Sequence, residues 1–181
     1  MSPTVKSILL ICLVGVFLFF TLHVLVPLVY RVKEPYFTMP VEDGRGAGGE
    51  GLLVRNDAHG EGAFGAKRSG GRSHKGIDLE AQIKSPVYAS KSGWARSRYF
   101  PGGYGNLVII SHPGRWETRY GHLDKIAIKG FQWVRQDDVI GFVGKTGNAD
   151  LKGITPHVHF EIRHMGNPVD PERELVRHKG G

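Results

Sequence analysis

Residues Ile8 to Tyr30 form an almost unbroken apolar stretch, and no other feature of the chain so restricts what it can fold into. At a helical rise of about 1.5 Å per residue the stretch crosses a hydrocarbon core of roughly 30 Å. In lipid a single such segment can satisfy its own backbone only as a helix. The sequence therefore predicts one membrane helix over residues 8–30, behind a short tail of residues 1–7. The rival reading is a cleaved secretory signal, which has a shorter apolar region and small residues at the cut site. Pro27-Leu28-Val29-Tyr30-Arg31 offers no such pair, so an uncleaved anchor is expected. A lipid-modified cysteine needs a small residue before it, and Cys12 follows Ile11; it reads as an ordinary small apolar residue. His23 and Pro27 are a polar and a kinking element near one end of the span, where a histidine reaches the headgroups. Lys6 and the amino terminus on one side offset Arg31 and Lys33 on the other, so charge bias leaves the orientation open.

The remaining residues suffice for one modest domain. From Arg31 to about residue 61 apolar clusters are sparse, and Gly44-Arg45-Gly46-Ala47-Gly48-Gly49-Glu50-Gly51 reads as a flexible tether. Leu52-Leu53-Val54 either ends that tether or forms a short strand packed on the domain. The domain itself is expected over residues 62–172, with a tail of residues 173–181. Within it, strand-like runs fall at Gly76 to Leu79, Val87 to Ala89, Gly93 to Arg98, Asn106 to Ser111, Glu117 to His122, Val139 to Val143 and His157 to Arg163. Glycine turns, drawn from 26 glycines, separate them as closely spaced strand reversals require. No long amphipathic helical pattern is present, so the expected class is all-β and antiparallel. Apart from Cys12 there is no cysteine, which excludes an intramolecular disulfide. Val108-Ile109-Ile110, Val139-Ile140 and Phe142-Val143 are the core candidates, and Trp94, Trp116 and Trp133 read as core or groove wall.

A formal net charge of +7 raises the question of nucleic acid. The basic residues are scattered and no nucleic-acid motif accompanies them, so a nucleic-acid partner is not expected. A basic exterior is compatible with anionic wall polymers or lipid headgroups.

Chemistry enters with histidine. In His157-Val158-His159 the two imidazoles project to one face of a strand, because strand side chains alternate, and the neighbours Val158, Phe160 and Ile162 are apolar on the other. Upstream, His74-Lys75-Gly76-Ile77-Asp78 carries a histidine and a carboxylate four positions apart. Gly76 and the alternation of Ile77 and Leu79 with polar residues favour a strand or turn there over a helix. Imidazole nitrogen with carboxylate oxygen suits a zinc site in which three protein ligands leave one position open. Tyr120-Gly121-His122-Leu123 adds a further histidine. His112 precedes Pro113-Gly114 and reads as a solvated residue at a strand end, and His59, His164 and His178 have no partner at ligand spacing.

The order of these motifs resembles the lysostaphin-like M23 metallopeptidases, or LytM domains, which cut peptide bonds in bacterial peptidoglycan. The likeness runs from about Phe64 to Pro171. It takes in His74-Lys75-Gly76-Ile77-Asp78-Leu79, Pro86-Val87-Tyr88-Ala89, Gly103-Tyr104-Gly105-Asn106-Leu107-Val108-Ile109, Tyr120-Gly121-His122-Leu123, Ile140-Gly141-Phe142-Val143-Gly144-Lys145-Thr146-Gly147 and Pro156-His157-Val158-His159-Phe160-Glu161-Ile162-Arg163. The resemblance implies a β-sheet cupping one zinc ion in a groove, with His74, Asp78 and His159 as ligands. It implies that His122 and His157 stand unligated beside the ion and handle protons or transition-state charge. It also implies a membrane-tethered zinc endopeptidase acting on peptidoglycan, with the domain on the extracytoplasmic side. The alternative is a non-catalytic wall-binding or regulatory copy of the fold, a kind that typically lacks ligands, whereas all five residues stand in place here. Three departures accompany the likeness. Thr155-Pro156 stands where relatives carry Gly-Pro, the loop from Gly147 to Thr155 is longer, and Phe64-Gly65-Ala66-Lys67-Arg68 displaces an arginine by one position. The loops at Ala95 to Tyr104 and Asn148 to Thr155 are where a choice of scissile bond would be expressed.

Overall fold

The computed structural model describes residues 2–42 and 52–175. The chain divides into two compact units, one ending at Pro35 and the other beginning at Tyr36. The first unit is a helix, Pro3–Lys33, long and apolar enough to cross a membrane, with none of its most apolar window buried. Ser2 caps it, its side chain accepting from the Val5 N–H at 3.4 Å, and Pro3 opens the first turn, where a missing N–H costs nothing. The residues expected as a short tail are thus helical from Pro3 onward. Pro27 cannot donate to the preceding turn, and the helix answers with a π-helical stretch, Thr21–Leu25, in which the Val26 N–H bonds the Thr21 carbonyl. His23 Nδ1 lies 3.1 Å from the Phe19 carbonyl oxygen and its ring stacks on Phe19, so its polar edge returns to the helix's own backbone.

The second unit is mainly antiparallel β, as the glycine-punctuated strand pattern predicts. Among the described residues twelve strands follow in chain order: β1 Asn56–Asp57, β2 Gly60–Glu61, β3 Ile77–Glu80, β4 Pro86–Tyr88, β5 Gly93–Phe100, β6 Gly105–His112, β7 Trp116–Leu123, β8 Lys125–Ile126, β9 Gln132–Val134, β10 Val139–Phe142, β11 His157–His164 and β12 Asn167–Val169. The main sheet has the order β12-β11-β7-β6-β5-β9, with β3 pairing the other edge of β11 beside β12. A smaller sheet, β4-β10-β8, supplies Val87 and Ile140 to the same core as Val108, Ile110, Tyr120, Val158, Phe160 and Ile162. β11 is therefore covered on both faces. Val158, Phe160 and Ile162 face the core, and His157, His159 and Glu161 face the opposite way, all of them buried.

Several expectations meet a different outcome. The tether expected over residues 31–61 contains packed chain: Phe37 and Val41 belong to the core, Leu52 packs against it, and the Tyr88 N–H donates to the Pro40 carbonyl. Residues 43–51, the Gly-rich part, lie outside the described residues. The C-terminal tail is packed as far as Leu175, which bridges to Phe37 after a helical turn, Pro171–Glu174; His178 and residues 176–181 lie outside the described residues. Trp116 leans on the core, but Trp94 is 46% exposed and stacks on Phe131 at 4.9 Å at the sheet's edge. The strand expected over Gly93 to Arg98 is present as β5 and runs on to Phe100, so of the loop expected over Ala95 to Tyr104 only residues 101–104 lie outside a strand.

His112 is buried, not solvated. Its Nδ1 donates to the Ser92 carbonyl at 2.9 Å and its Nε2 meets Thr118 Oγ1 at 2.8 Å, in a chain that continues to the Tyr120 hydroxyl and the Ser90 N–H. Burial opposes the charged ring and lowers its pKa to about 4. An unfolded histidine titrates near 6.5, so between these values the unfolded chain takes up a proton that the folded chain refuses. The stability present above pH 6.5 is lost as pH falls toward 4, by about 3 kcal/mol. Against a His112→Gln variant, which lacks the titrating group, the wild-type advantage in chemical denaturation should shrink by about that amount between pH 7 and pH 4.

Candidate metal centre

Strand register assembles the site. Asp78 on β3 stands directly opposite His159 on β11, between the apolar pairs Ile77 with Phe160 and Leu79 with Val158. Paired residues on one face lie close enough for their side chains to touch. His74 reaches the same point from the loop before β3, whose approach to β11 depends on Gly76: a Cβ there would stand 2.3 Å from the Phe160 carbonyl oxygen. The glycine that argued against a helix in the sequence is required by this backbone contact.

The result is a triangle of donor atoms. His159 Nδ1 lies 2.8 Å from Asp78 Oδ1, His74 Nε2 lies 3.1 Å from the same oxygen, and the two nitrogens are 2.9 Å apart. All three residues are buried. Outer partners fix which atoms carry protons. His74 Nδ1 faces the Ala63 carbonyl at 2.9 Å, which can only accept, so that nitrogen holds the hydrogen and leaves Nε2 as a lone pair. His159 Nε2 faces Glu161 Oε1 at 3.1 Å and donates to it, leaving Nδ1 as a lone pair. Asp78 Oδ2 receives Arg55 Nε, Arg55 Nη2 and Arg68 Nη2 at 3.3, 3.1 and 3.2 Å, leaving Oδ1 directed at the histidines.

With both rings neutral, three lone pairs would converge with no hydrogen among them, an arrangement that only a cation makes favourable, whether a metal ion or, in the bare protein, a proton on His159 Nδ1. The protonation of the bare protein reflects the same demand. Burial works against a charged His159, yet its hydrogen bonds to Asp78 and Glu161 outweigh burial and hold its pKa at about 9. Burial likewise works against an ionised Asp78, and the hydrogen bond from protonated His159, with His74 beside it, holds it well below the usual carboxylate range. A proton is the least that can occupy this point. The spacing lets all three atoms lie about 2.0–2.2 Å from one ion, and two imidazoles with one carboxylate suit zinc with an open position.

His122 and His157 border this triangle, their rings 5.0 Å apart and roughly perpendicular, with His122 5.9 Å from His159. Each has its Nδ1–H committed to a backbone carbonyl, His122 to Thr146 at 2.9 Å and His157 to Thr155 at 2.6 Å. Each therefore keeps a free Nε2 lone pair, and that of His157 lies 3.9 Å from Asp78 Oδ1. Burial, helped by His159 and His157, lowers the pKa of His122 to about 3, and burial lowers that of His157. Both are neutral near pH 7. His122, next to last in β7, has φ at 63°, a left-handed backbone uncommon outside glycine, of the kind found where a site constrains its residue.

The five residues singled out in the sequence are thus brought together. Of their supporting partners, Glu161 shares their strand face by period two, whereas Tyr104, Arg55 and Arg68 carry no spacing signal. Glu161, fully buried, accepts from His159, from the Tyr104 hydroxyl at 2.5 Å and from Arg163 Nη1 at 2.6 Å; Tyr104 in turn leans its ring toward His159. Arg68, displaced by one position in the sequence, still reaches Asp78. The neighbouring motif letters Tyr104 and Glu161 were visible, but their roles follow only from the fold.

The chain is similar to several known proteins. Residues 72–171 match the model of Peptidase family M23. The DD-carboxypeptidase/endopeptidase Mpg of Neisseria meningitidis is 43% identical over 100 residues, which are 55% of this chain and 22% of that protein. A zinc-containing peptidase from Vibrio cholerae superposes with a TM-score of 0.59 at 33% identity, over 77% of this chain and 40% of that one. The catalytic domain of the antimicrobial peptidase lysostaphin from Staphylococcus simulans superposes with a TM-score of 0.53 at 28% identity, over 60% of this chain and 85% of that domain. The matched region of this chain spans about a fifth of the curated relative's length.

Proposed function

The chain belongs to peptidase family M23, and from that premise we propose that it is a membrane-anchored zinc endopeptidase that hydrolyses peptide cross-links or stem peptides of bacterial peptidoglycan. The observation that carries this reading is the convergence of three potential ligand atoms, His74 Nε2, Asp78 Oδ1 and His159 Nδ1, within 3.1 Å of one another, beside two neutral histidines. A copy of the fold used only for binding would not need either set.

Zinc held by His74, Asp78 and His159 would polarise the scissile carbonyl and make water a usable nucleophile near neutral pH. The remaining work falls to the protein. Hydrolysis needs a base for the water proton and an acid for the departing amine nitrogen. His122 and His157 are both neutral, with Nε2 unoccupied and Nδ1 anchored by a carbonyl, so either ring accepts at Nε2 without reorienting. The imidazolium so formed is held by the same carbonyl, and it returns the proton to the amine. The buried setting excludes bulk water from the proton path and strengthens these contacts. The helix Pro3–Lys33 supplies the anchor, with the β unit on the extracytoplasmic side where the wall polymer lies.

The test uses the full-length chain purified in detergent and loaded with zinc. Incubated with defined peptidoglycans, it should release fragments whose masses reveal new amine ends at a peptide bond. Zinc binding with no new amine ends from any wall preparation would replace this reading with the regulatory one.

A further inference from the structure

We propose that Arg55 and Asp57, which precede the family-matched residues 72–171, act as a positioning clasp that couples the carboxylate of Asp78 to the backbone orienting His157. The proposal rests on the zinc endopeptidase reading and assigns parts of that site to a segment outside it.

Arg55 is 5% exposed and holds two carboxylates at once. Its Nε and Nη2 donate to Asp78 Oδ2, and its Nη1 donates to Asp57 Oδ1 at 2.6 Å. A planar guanidinium fixes such a pair in direction, which a lysine ammonium cannot do. With Oδ2 occupied, Oδ1 is the oxygen of Asp78 that faces the histidines. The backbone reinforces the contact: the Arg55 N–H donates to the Asp78 carbonyl at 2.8 Å, and Gly62 bridges the two strands by donating to the Arg55 carbonyl and accepting from the Asp78 N–H. A Cβ on Gly62 would stand 2.8 Å from that of Asp78, so only glycine permits the approach.

Asp57 carries the connection onward. Its Oδ1 also accepts from the His59 N–H, and its Oδ2 accepts from the Thr155 N–H at 2.9 Å. Thr155 is the residue whose carbonyl receives the Nδ1–H of His157. His59 Nε2 adds a second tie, to the Lys152 carbonyl at 2.9 Å. The β1–β2 turn thereby pins the long loop between Gly147 and Thr155, and one arginine connects that pin to a zinc ligand. Residues acting through such outer contacts typically contribute 10–100-fold to metal affinity or activity.

The two arms have separable consequences in the full-length chain. Arg55→Lys keeps the charge but loses the fork, and should weaken zinc affinity about 10–100-fold, measured by competition with a chelating dye. Asp57→Ala should leave zinc affinity within about threefold while lowering kcat about 10–100-fold at little changed KM. In that variant the downfield His157 Nδ1–H proton resonance of the wild type should shift or vanish. A purely structural role would instead lower activity in proportion to the folded fraction, with zinc affinity and the resonance unmoved. That result, or variants indistinguishable from wild type, would overturn the clasp. Absence of zinc binding by the wild type would instead count against the endopeptidase reading, and the His157 resonance would still decide the Asp57 arm.

Discussion

His159→Ala should leave the chain without bound zinc and without hydrolysis. His159 contributes one corner of the donor triangle and is the only one of the three donors whose outer partner is a carboxylate, Glu161. Its loss leaves His74 and Asp78 as two ligands, one fewer than a catalytic zinc site uses. The affinity loss should exceed the roughly 10–100-fold that removal of an outer partner costs. Metal content after dialysis and release of amine ends from peptidoglycan both report it. Glu161 keeps Tyr104 and Arg163 in the variant, so the fold is not left with an unpaired buried carboxylate. A folded, metal-free protein is the expected product.

Replacement of His122 should separate the two properties. His122 borders the triangle without belonging to it, so zinc content should stay near one ion per chain. Hydrolysis should fall by about 10²–10⁴-fold, the usual contribution of a positioned acid or base. The left-handed backbone at this residue, φ 63°, penalises alanine, which makes His122→Asn the cleaner variant because asparagine tolerates that conformation. His122→Ala should lose activity as well, with an added loss of stability. Loss of zinc in His122→Asn would mean that the ligand set differs from the one proposed.

The elements of this site were legible in the sequence to unequal degrees. The alternation His157, His159, Glu161 against Val158, Phe160, Ile162 announces a two-faced strand, because a period of two is a local property. Gly76 between His74 and Asp78 likewise announces extended chain in place of a helix. The partner of Asp78 on the far side is different: Arg55 is 23 residues away and makes its contact through a guanidinium, so no spacing rule finds it. Phe37, Met39 and Val41 alternate with period two and pack on the core, but prolines at 35 and 40 interrupt the segment, so it does not read as a strand. The turn signal after His112 is real, since β6 ends there. It describes the backbone that follows His112, whereas the side chain turns inward to Ser92 and Thr118.

Zinc K-edge X-ray absorption on the zinc-loaded chain should show a first shell of nitrogen and oxygen only, at about 2.0–2.2 Å, with outer-shell scattering from two imidazoles. A shell containing sulfur, or outer-shell scattering from one imidazole or from three, would rule out His74, Asp78 and His159 as the ligand set.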